Sequence, residues 1–289
     1  MRRFIYTNVL GKSIEFNRET GFMLTSIDSL SSNDVTINEV SGSSQVGATA
    51  TSQKIVPKTI TFEGDFPYSW SRRRTLIDTI APGINARIRM IDEDNNFDVF
   101  IDGMPKRSPY ISEDKVYQTF QFQFYCPFPF WQETSYTNLK FTQYISHFRF
   151  PRSFSNTVYW KISERQMLVI DTIENRGTLP TGFEVTFKAE TAVTSPELLN
   201  IETQEILKMS SDFVLQAGDT LVISTYEGRK TVTWTRAETG KPENAFQYLT
   251  DESVFWQLQP GDNIVRYGAD DNYEGLEVDI SLNITYAGV

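Results

Sequence analysis

Between Val116 and Trp131 the chain reads VYQTFQFQFYCPFPFW, and no other stretch constrains its fold as tightly. Phe120, Phe122 and Phe124 alternate with Thr119, Gln121 and Gln123. Successive side chains of an extended strand point to opposite faces, so the pattern specifies a half-buried β-strand, aromatic inside and amide outside. Pro127 and Pro129 then end it, because proline donates no ladder hydrogen bond and biases the residue before it towards extended or turn geometry. The stretch therefore predicts the last strand of one domain followed by a stiff exit, with Pro127, Pro129 and Trp131 as the hinge.

The chain has 289 residues, more than the roughly 100–200 of a typical domain, which favours two domains. The expected boundaries are 1–133 for a first domain, 134–165 for a linker and first strand, and 166–289 for a second domain. One cysteine, Cys126, rules out an intrachain disulfide; beside the exit prolines it reads as a small packed hydrophobe. No apolar run is long enough for a membrane span or a secretory h-region, so the expectation is a protein made and folded in a cytoplasm. The net charge of −10 argues against a nucleic-acid-coating surface, which needs a basic footprint.

Residues 1–40 read as short strands broken by glycine turns, followed by SGSSQVGATATSQ (Ser41–Gln53), polar and without period, expected to be a mobile loop. Gly42 and Gly47 lack the following Gly-Lys-Ser/Thr of a phosphate-binding loop. KIVPKTITFEG resumes as a strand, alternating at Ile60 and Phe62. SWSRRRTLIDTIAPG is the one helix, with Ser69 or Ser71 as cap and Pro82-Gly83 as stop. Trp70, Ile77 and Ile80 are expected to share its buried face, flanked by Leu76. Arg72, Arg73 and Arg74 stand near its N-terminal end, where the helix dipole disfavours cations; they are either a solvated face or compensated by an acidic partner. ARIRMIDEDNNFDVFIDGM reads as a hairpin. Its Asp92, Asp94 and Asn96 mimic the start of a calcium loop, but Phe97 and Gly103 stand where that loop needs glycine and glutamate.

From Gln166 onwards strand follows strand. Leu276, Val278, Ile280, Leu282 and Ile284 alternate with Glu277, Asp279, Ser281 and Asn283, and turns recur at the spacing of a sandwich or barrel. The fold class is mainly β, in two domains. Without strand–helix alternation a parallel nucleotide-binding sheet is not expected.

Chemistry is thin. His147 is the only histidine and lies in the linker-like segment; with one cysteine it cannot assemble a zinc site. Asp270, Asp271 and Glu274 could supply a glycosidase pair, but GADDNYEGLE also reads as a turn. Trp160, Trp234 and Trp256 are core or interface residues, or platforms for a sugar ring. No enzyme, cofactor or metal is expected; a carbohydrate-binding module or, behind it, a glycoside hydrolase are the alternatives to a structural protein.

In order and pattern the chain resembles the distal tail proteins of long-tailed, non-contractile bacteriophages. The first half has strands, a polar loop, a KTITFEG strand, a helix, a proline-glycine and a hairpin, closing on FYCPFPFW. The second half has IENRGTLPTGFEVTF, LQAGDTLVIST and FWQLQPGDNIVRY, similar to that family's galectin-like β-sandwich. The resemblance implies a structural protein of the virion tail tip, of a phage or prophage, assembled in the bacterial host cytoplasm. Six copies would form a homo-hexameric ring through the first domain, with the galectin-like sandwich outward. The implied partners are the tail tube protein, a tail-associated lysin or fibre and, in some relatives, a receptor-binding protein held by an arm; no membrane or nucleic acid is bound. In this sequence the arm would be sought in RAETGKPENAFQYLT (236–250), with Arg236, Glu238, Lys241 and Tyr248 as candidate contacts. Ring register would come from Arg72, Arg73 and Arg74 of one subunit against Asp92, Glu93 and Asp94 of the next, and an acidic lumen would let DNA slide past.

Overall fold

A computed structural model of the chain describes residues 2–146 and 163–289. It divides into two compact units, Met1–Ser135 with Thr285–Val289, and Tyr136–Ile284. Among the described residues no helix is long and apolar enough to cross a membrane.

The first unit contains β1 (Arg2–Asn8), β2 (Ser13–Phe16), β3 (Met23–Asp28), β4 (Val35–Val40), β5 (Thr49–Ile55), β6 (Lys58–Pro67), α1 (Trp70–Thr79), β7 (Ala86–Asp92), β8 (Phe97–Pro105), β9 (Tyr110–Ile111), β10 (Tyr117–Cys126) and β11 (Trp131–Glu133). The main sheet runs β2-β1-β7-β8-β10-β6-β3. The aromatic strand is β10, and its alternation is kept: Phe120, Phe122 and Phe124 are buried while Gln121 and Gln123 are partly exposed on the opposite face. Phe122 stacks on Phe62 of β6 at 4.9 Å and 8° and on Phe16 of β2 at 5.9 Å, and meets Tyr6 of β1 edge-on at 6.1 Å. Rings from four strands thus interlock into one core, the quadrupole favouring these stacked and edge contacts. Gly64 in mid-β6 is required by that packing: a Cβ there would lie 2.3 Å from the Met23 carbonyl oxygen and 2.6 Å from the Phe120 ring.

Two expectations for this unit change. Trp70 is not on the buried face of α1; it is 70% exposed, while Ile80 and Leu76 are buried as expected, Ile77 packs against the core and Thr79 is buried with them. Trp70 sits at the first helical position, before the face that packs down has formed. Residues 49–53 are not part of a loop: they begin β5, which pairs with β4 in a two-stranded hairpin whose tip is 41–48. With both faces exposed, β5 carries no apolar alternation by which a strand could be recognised. The hairpin read over residues 87–101 is β7–β8, its turn closed by Asn96 in the left-handed region.

The second unit contains β12 (Thr137–Lys140), β13 (Thr142–Ser146), β14 (Ser163–Met167), β15 (Ile170–Asn175), β16 (Glu184–Ala189), β17 (Val193–Asn200), β18 (Ile206–Lys208), β19 (Val214–Leu215), β20 (Thr220–Ser224), β21 (Thr231–Thr235), β22 (Pro242–Asn244), β23 (Gly261–Asp271) and β24 (Leu276–Leu282). A six-stranded sheet, β12-β24-β16-β20-β21-β22, and a second sheet, β15-β23-β17-β18 with β19 beside β17, are antiparallel throughout. Inward residues of both meet: Phe213, next to β19, touches Trp234 of β21 at 5.1 Å. Two antiparallel sheets that share a core make a β-sandwich, one of the two architectures the strand spacing allows. The alternation from Leu276 to Leu282 is realised in β24, with Ile284 buried just beyond it. The chain then leaves this unit: β25 (Thr285–Tyr286) pairs with β11 of the first unit's sheet, and Tyr286 meets Phe97 edge-on at 4.9 Å. Residues 285–289 therefore belong with the first unit and not with the 166–289 segment; so long-range a pairing has no local signature.

Candidate assembly surfaces

The arginine triplet lies on α1, and two of its members have partners within the chain. Arg73 Nη2 donates to Glu113 Oε1 at 2.9 Å and Nη1 to the Ser112 carbonyl at 3.3 Å; Arg74 pairs with Asp78, one turn on, at 3.1 Å. The Arg72 guanidinium lies over Gly21, where a Cβ would approach it to 3.0 Å. Arg72 makes no ion pair among the described residues.

The acidic turn is also satisfied locally. Asp92 is buried; Asn95 Nδ2 donates to it at 2.9 Å and Arg2 Nε at 3.4 Å, and these bonds, the Asn95 amide first, hold its carboxyl below the usual range. Glu93 accepts from Arg3 at 2.7 Å, and the Asp94 backbone N–H donates to Asp92. No ion pair joins the triplet to this turn among the described residues. Along the neighbouring β7–β8 ladder, Arg87 clasps Asp102 with two bonds, at 2.7 and 2.9 Å, and its guanidinium stands 3.7 Å over the Phe100 ring. Arg89 pairs with Asp98, which also accepts from Thr134 at 2.8 Å; the Arg89 bond is the main cause of a lowered Asp98 pKa.

The exit after β10 is bolted into the first unit. Pro127 is exposed, Pro129 buried, and Phe128 meets Phe130 edge-on at 5.2 Å. Trp131 is fully buried, and its Nε1 donates to the Leu30 carbonyl at 3.1 Å. The same carbonyl accepts from Lys58 Nζ at 3.2 Å. Lys58 sits opposite Cys126 in the β6–β10 register, with its ammonium 5.8 Å from the Trp131 ring. Burial lowers the Lys58 pKa, and burial pushes the Cys126 thiol up to about 12 against the pull of Lys58. Cys126 is thus an inert, packed thiol.

In the second unit the 236–250 segment does not extend as an arm. Pro242–Asn244 form β22 at the sheet edge, the Leu249 backbone bridges Met209, and Tyr248 packs on Phe213 at 5.2 Å. Main-chain pairing and an aromatic anchor fold the segment down. Arg236 bridges to Glu243 at 3.4 Å and covers the Trp234 ring at 4.2 Å, while Glu238 and Lys241 are exposed at the turn.

The enzyme and sugar-binding candidates fare differently. Asp270 is held by Lys208 at 2.7 Å, which is the main reason its carboxyl stays below the usual range, while Asp271 ends β23 opposite Thr194 and Asn272 and Glu274 form the turn, Asn272 in the left-handed region. Lys208 reaches Glu197 as well, at 3.1 Å, so these carboxylates serve a structural ion network. Trp256 is buried against Phe183 at 4.4 Å, and Trp234 donates to Asp219 at 3.0 Å inside the aromatic cluster; neither offers an open platform. His147 and Trp160 lie outside the described residues. Among the described residues no group of three or more His, Cys, Asp or Glu could hold a metal ion.

Sequence signals missed the hairpin of β4 and β5. Every residue from Thr36 to Ile55 is exposed, Val35 included. Its one legible trace was the alternation VTINEV.

Residues 176–281 match the siphovirus-type tail component, C-terminal domain. No curated protein matches the chain. Among solved structures it is similar to the Dit protein of phage SPP1, described as a paradigm of the hub adsorption apparatus in phages infecting Gram-positive bacteria. That likeness has 10% identity and a TM-score of 0.67, and covers 98% of each chain. It is also similar to chains of the phage P2 baseplate in its activated conformation, with calcium (11% identity, TM-score 0.53, 100% of each chain) and with strontium (11%, 0.51, 98% of each). The matched family domain falls within the second unit, and the likeness to the SPP1 protein, at 10% identity, shows a shared fold along the chain.

Proposed function

We propose that this chain is the distal tail hub of a long-tailed, non-contractile phage or prophage, a structural part of the virion tail tip. The observation that carries the reading is the likeness to the SPP1 hub protein over 98% of both chains, spanning both units, joined to the family match in the second. The side-chain geometry agrees in kind: carboxylates and arginines are used in pairs along strands and turns. A ring-forming hub needs rigid surfaces that complement one another head to tail rather than a reactive centre.

In this reading six copies close a ring through the first unit and join the tail tube to the adsorption apparatus, with a lysin or fibre below and receptor-binding protein as a further partner. The hexamer, the named partners and assembly in the host cytoplasm follow from the family resemblance. The local satisfaction of Asp92, Glu93, Arg73 and Arg74 shifts the expected ring contact away from the triplet-to-turn pairing and leaves Arg72 as its remaining basic candidate.

The test is location. Antibodies raised against the chain are expected to label one end of the tail, distal to the capsid, in particles from a producing lysate. Labelling along the tail shaft, or none on intact particles, would overturn the assignment.

A further inference from the structure

The β4–β5 hairpin leaves the first unit by two unequal legs. After β5 only Val56 and Pro57 precede Lys58, the first residue of β6, and Val56 N–H donates to the Asp34 carbonyl at 3.1 Å. Before β4 lie residues 29–34, outside any strand. Every residue from Thr36 to Ile55 is exposed, so these legs, and not core packing, fix the direction in which the hairpin points. Ser29, at the start of the longer leg, has φ 62°, a left-handed backbone that a non-glycine residue seldom adopts. Hinges are a few residues between elements that absorb a change in backbone angle, and Ser29 stands where such a pivot would be.

The longer leg is held at three points besides Asp34. Its Leu30 carbonyl accepts from Lys58 and Trp131, at 3.2 and 3.1 Å. The other two holds come from residues 285–289, which follow the whole second unit in sequence. Ser31 Oγ donates to the Val289 main-chain oxygen, and Asn33 Nδ2 donates to the Ala287 carbonyl. Gly288 lies against Ser31, where a Cβ would stand 2.6 Å from the Ser31 carbonyl oxygen and 3.0 Å from its Cα, so no side chain fits. The strip is itself anchored. Tyr286 pairs with Trp131 and Thr285 with Gln132, Tyr286 meets the Phe97 ring at 4.9 Å, and Val289 packs on the first unit's core.

We infer that residues 285–289 are a clasp on the 31–33 leg, one that sets the direction of the β4–β5 hairpin and closes only after the second unit has been made. The chain leaves the first unit after β11 and comes back to it at β25, so the first unit acquires this strip later than all of the second. During synthesis domains fold in order from the N-terminal side. Until Thr285 and Tyr286 pair with β11, the leg has only its bonds at Leu30 and Asp34 among the described residues, and the hairpin swings about Ser29. The clasp is a device of the single chain and does not depend on the ring.

The test is cleavage before Asp34 by endoproteinase Asp-N, which requires the leg to come away from its supports. The full chain is compared with Ser31→Ala/Asn33→Ala, which removes both donors, and with Gly288→Val, which pushes the strip off Ser31. Where reclosing outpaces cleavage the rate follows the open fraction, and the loss of two neutral hydrogen bonds should raise it about tenfold or more in the double variant. Gly288→Val should act in the same direction. Cys126 should stay closed to thiol reagents in both, because the sheet remains intact. Cleavage at Asp34 within about twofold of the parent chain in both variants would overturn the inference. So would a Cys126 that becomes reactive in the same proportion, since the leg would then open only with the whole sheet. A chain ended after Ile284 tests the timing. It is expected to cut at Asp34 like the double variant with Cys126 still closed; parent-like protection or a reactive Cys126 would refute it.

Discussion

Replacing Phe122 by alanine tests whether the aromatic strand is the keystone of the first unit. Phe122 is fully buried and touches the rings of Phe62, Phe16, Tyr6 and Phe120. A buried Phe→Ala change costs about 3–5 kcal/mol, and loss of four ring contacts places this one towards the upper end, about 4–5 kcal/mol. Cys126 gives a probe confined to the same unit, since its thiol is buried and can be labelled only when β10 opens. Where reclosing outpaces labelling, the rate follows the opening equilibrium, so the variant should label on the order of 1000-fold faster than the parent chain at pH 8. Gln123→Ala, on the outer face of the same strand, should change the rate by about twofold or less. If Phe122→Ala labels within tenfold of the parent, the ring cluster does not hold the strand as described.

Other perturbations reach other parts of the structure. Gly64→Ala should destabilise the first unit by at least ~2 kcal/mol, read by the same labelling, because its Cβ would meet the Met23 carbonyl, a backbone atom that cannot swing away; a neutral result would refute the close approach. Asp98 has a lowered pKa in the folded chain, so its stabilising bonds to Arg89 and Thr134 are complete above the ordinary carboxylate value near 4 and are lost as pH falls through the lower, folded one. Asp98→Asn should therefore flatten the stability profile only in that acidic window, and by ~1 kcal/mol or less, since the pair is solvent-accessible; a change confined to pH 6–8 would contradict it. Glycine at both Pro127 and Pro129 should open the segment before Trp131 to protease while leaving the assembled mass unchanged. A monomeric product would show that the exit itself contributes to the ring.

The sequence showed most clearly what local physics decides. The alternation at Phe120–Phe124 has one reading because burial on one face and water on the other impose a period of two, and the same holds for Leu276–Leu282. It failed where burial does not decide. Residues 49–53 form a strand with water on both faces, and polar small residues there look like a loop. Residues 242–244 and Tyr248 fold onto a sheet edge by main-chain bonds and one aromatic contact, neither of which stands out in the mixed fifteen-residue stretch 236–250. The return of Thr285 and Tyr286 to β11 depends on contacts more than a hundred residues away. The arginine triplet was conspicuous as a sequence cluster, but its partners Glu113 and Asp78 had no mark that set them apart.

The central claim is that the chain is a ring-forming hub, and its solution mass tests that most directly. The chain is 33.2 kDa, so six copies closed by a cyclic heterologous contact should scatter light as a single species of roughly 200 kDa. A species that stays at the monomer mass across the accessible concentration range, or that grows without limit, would contradict it.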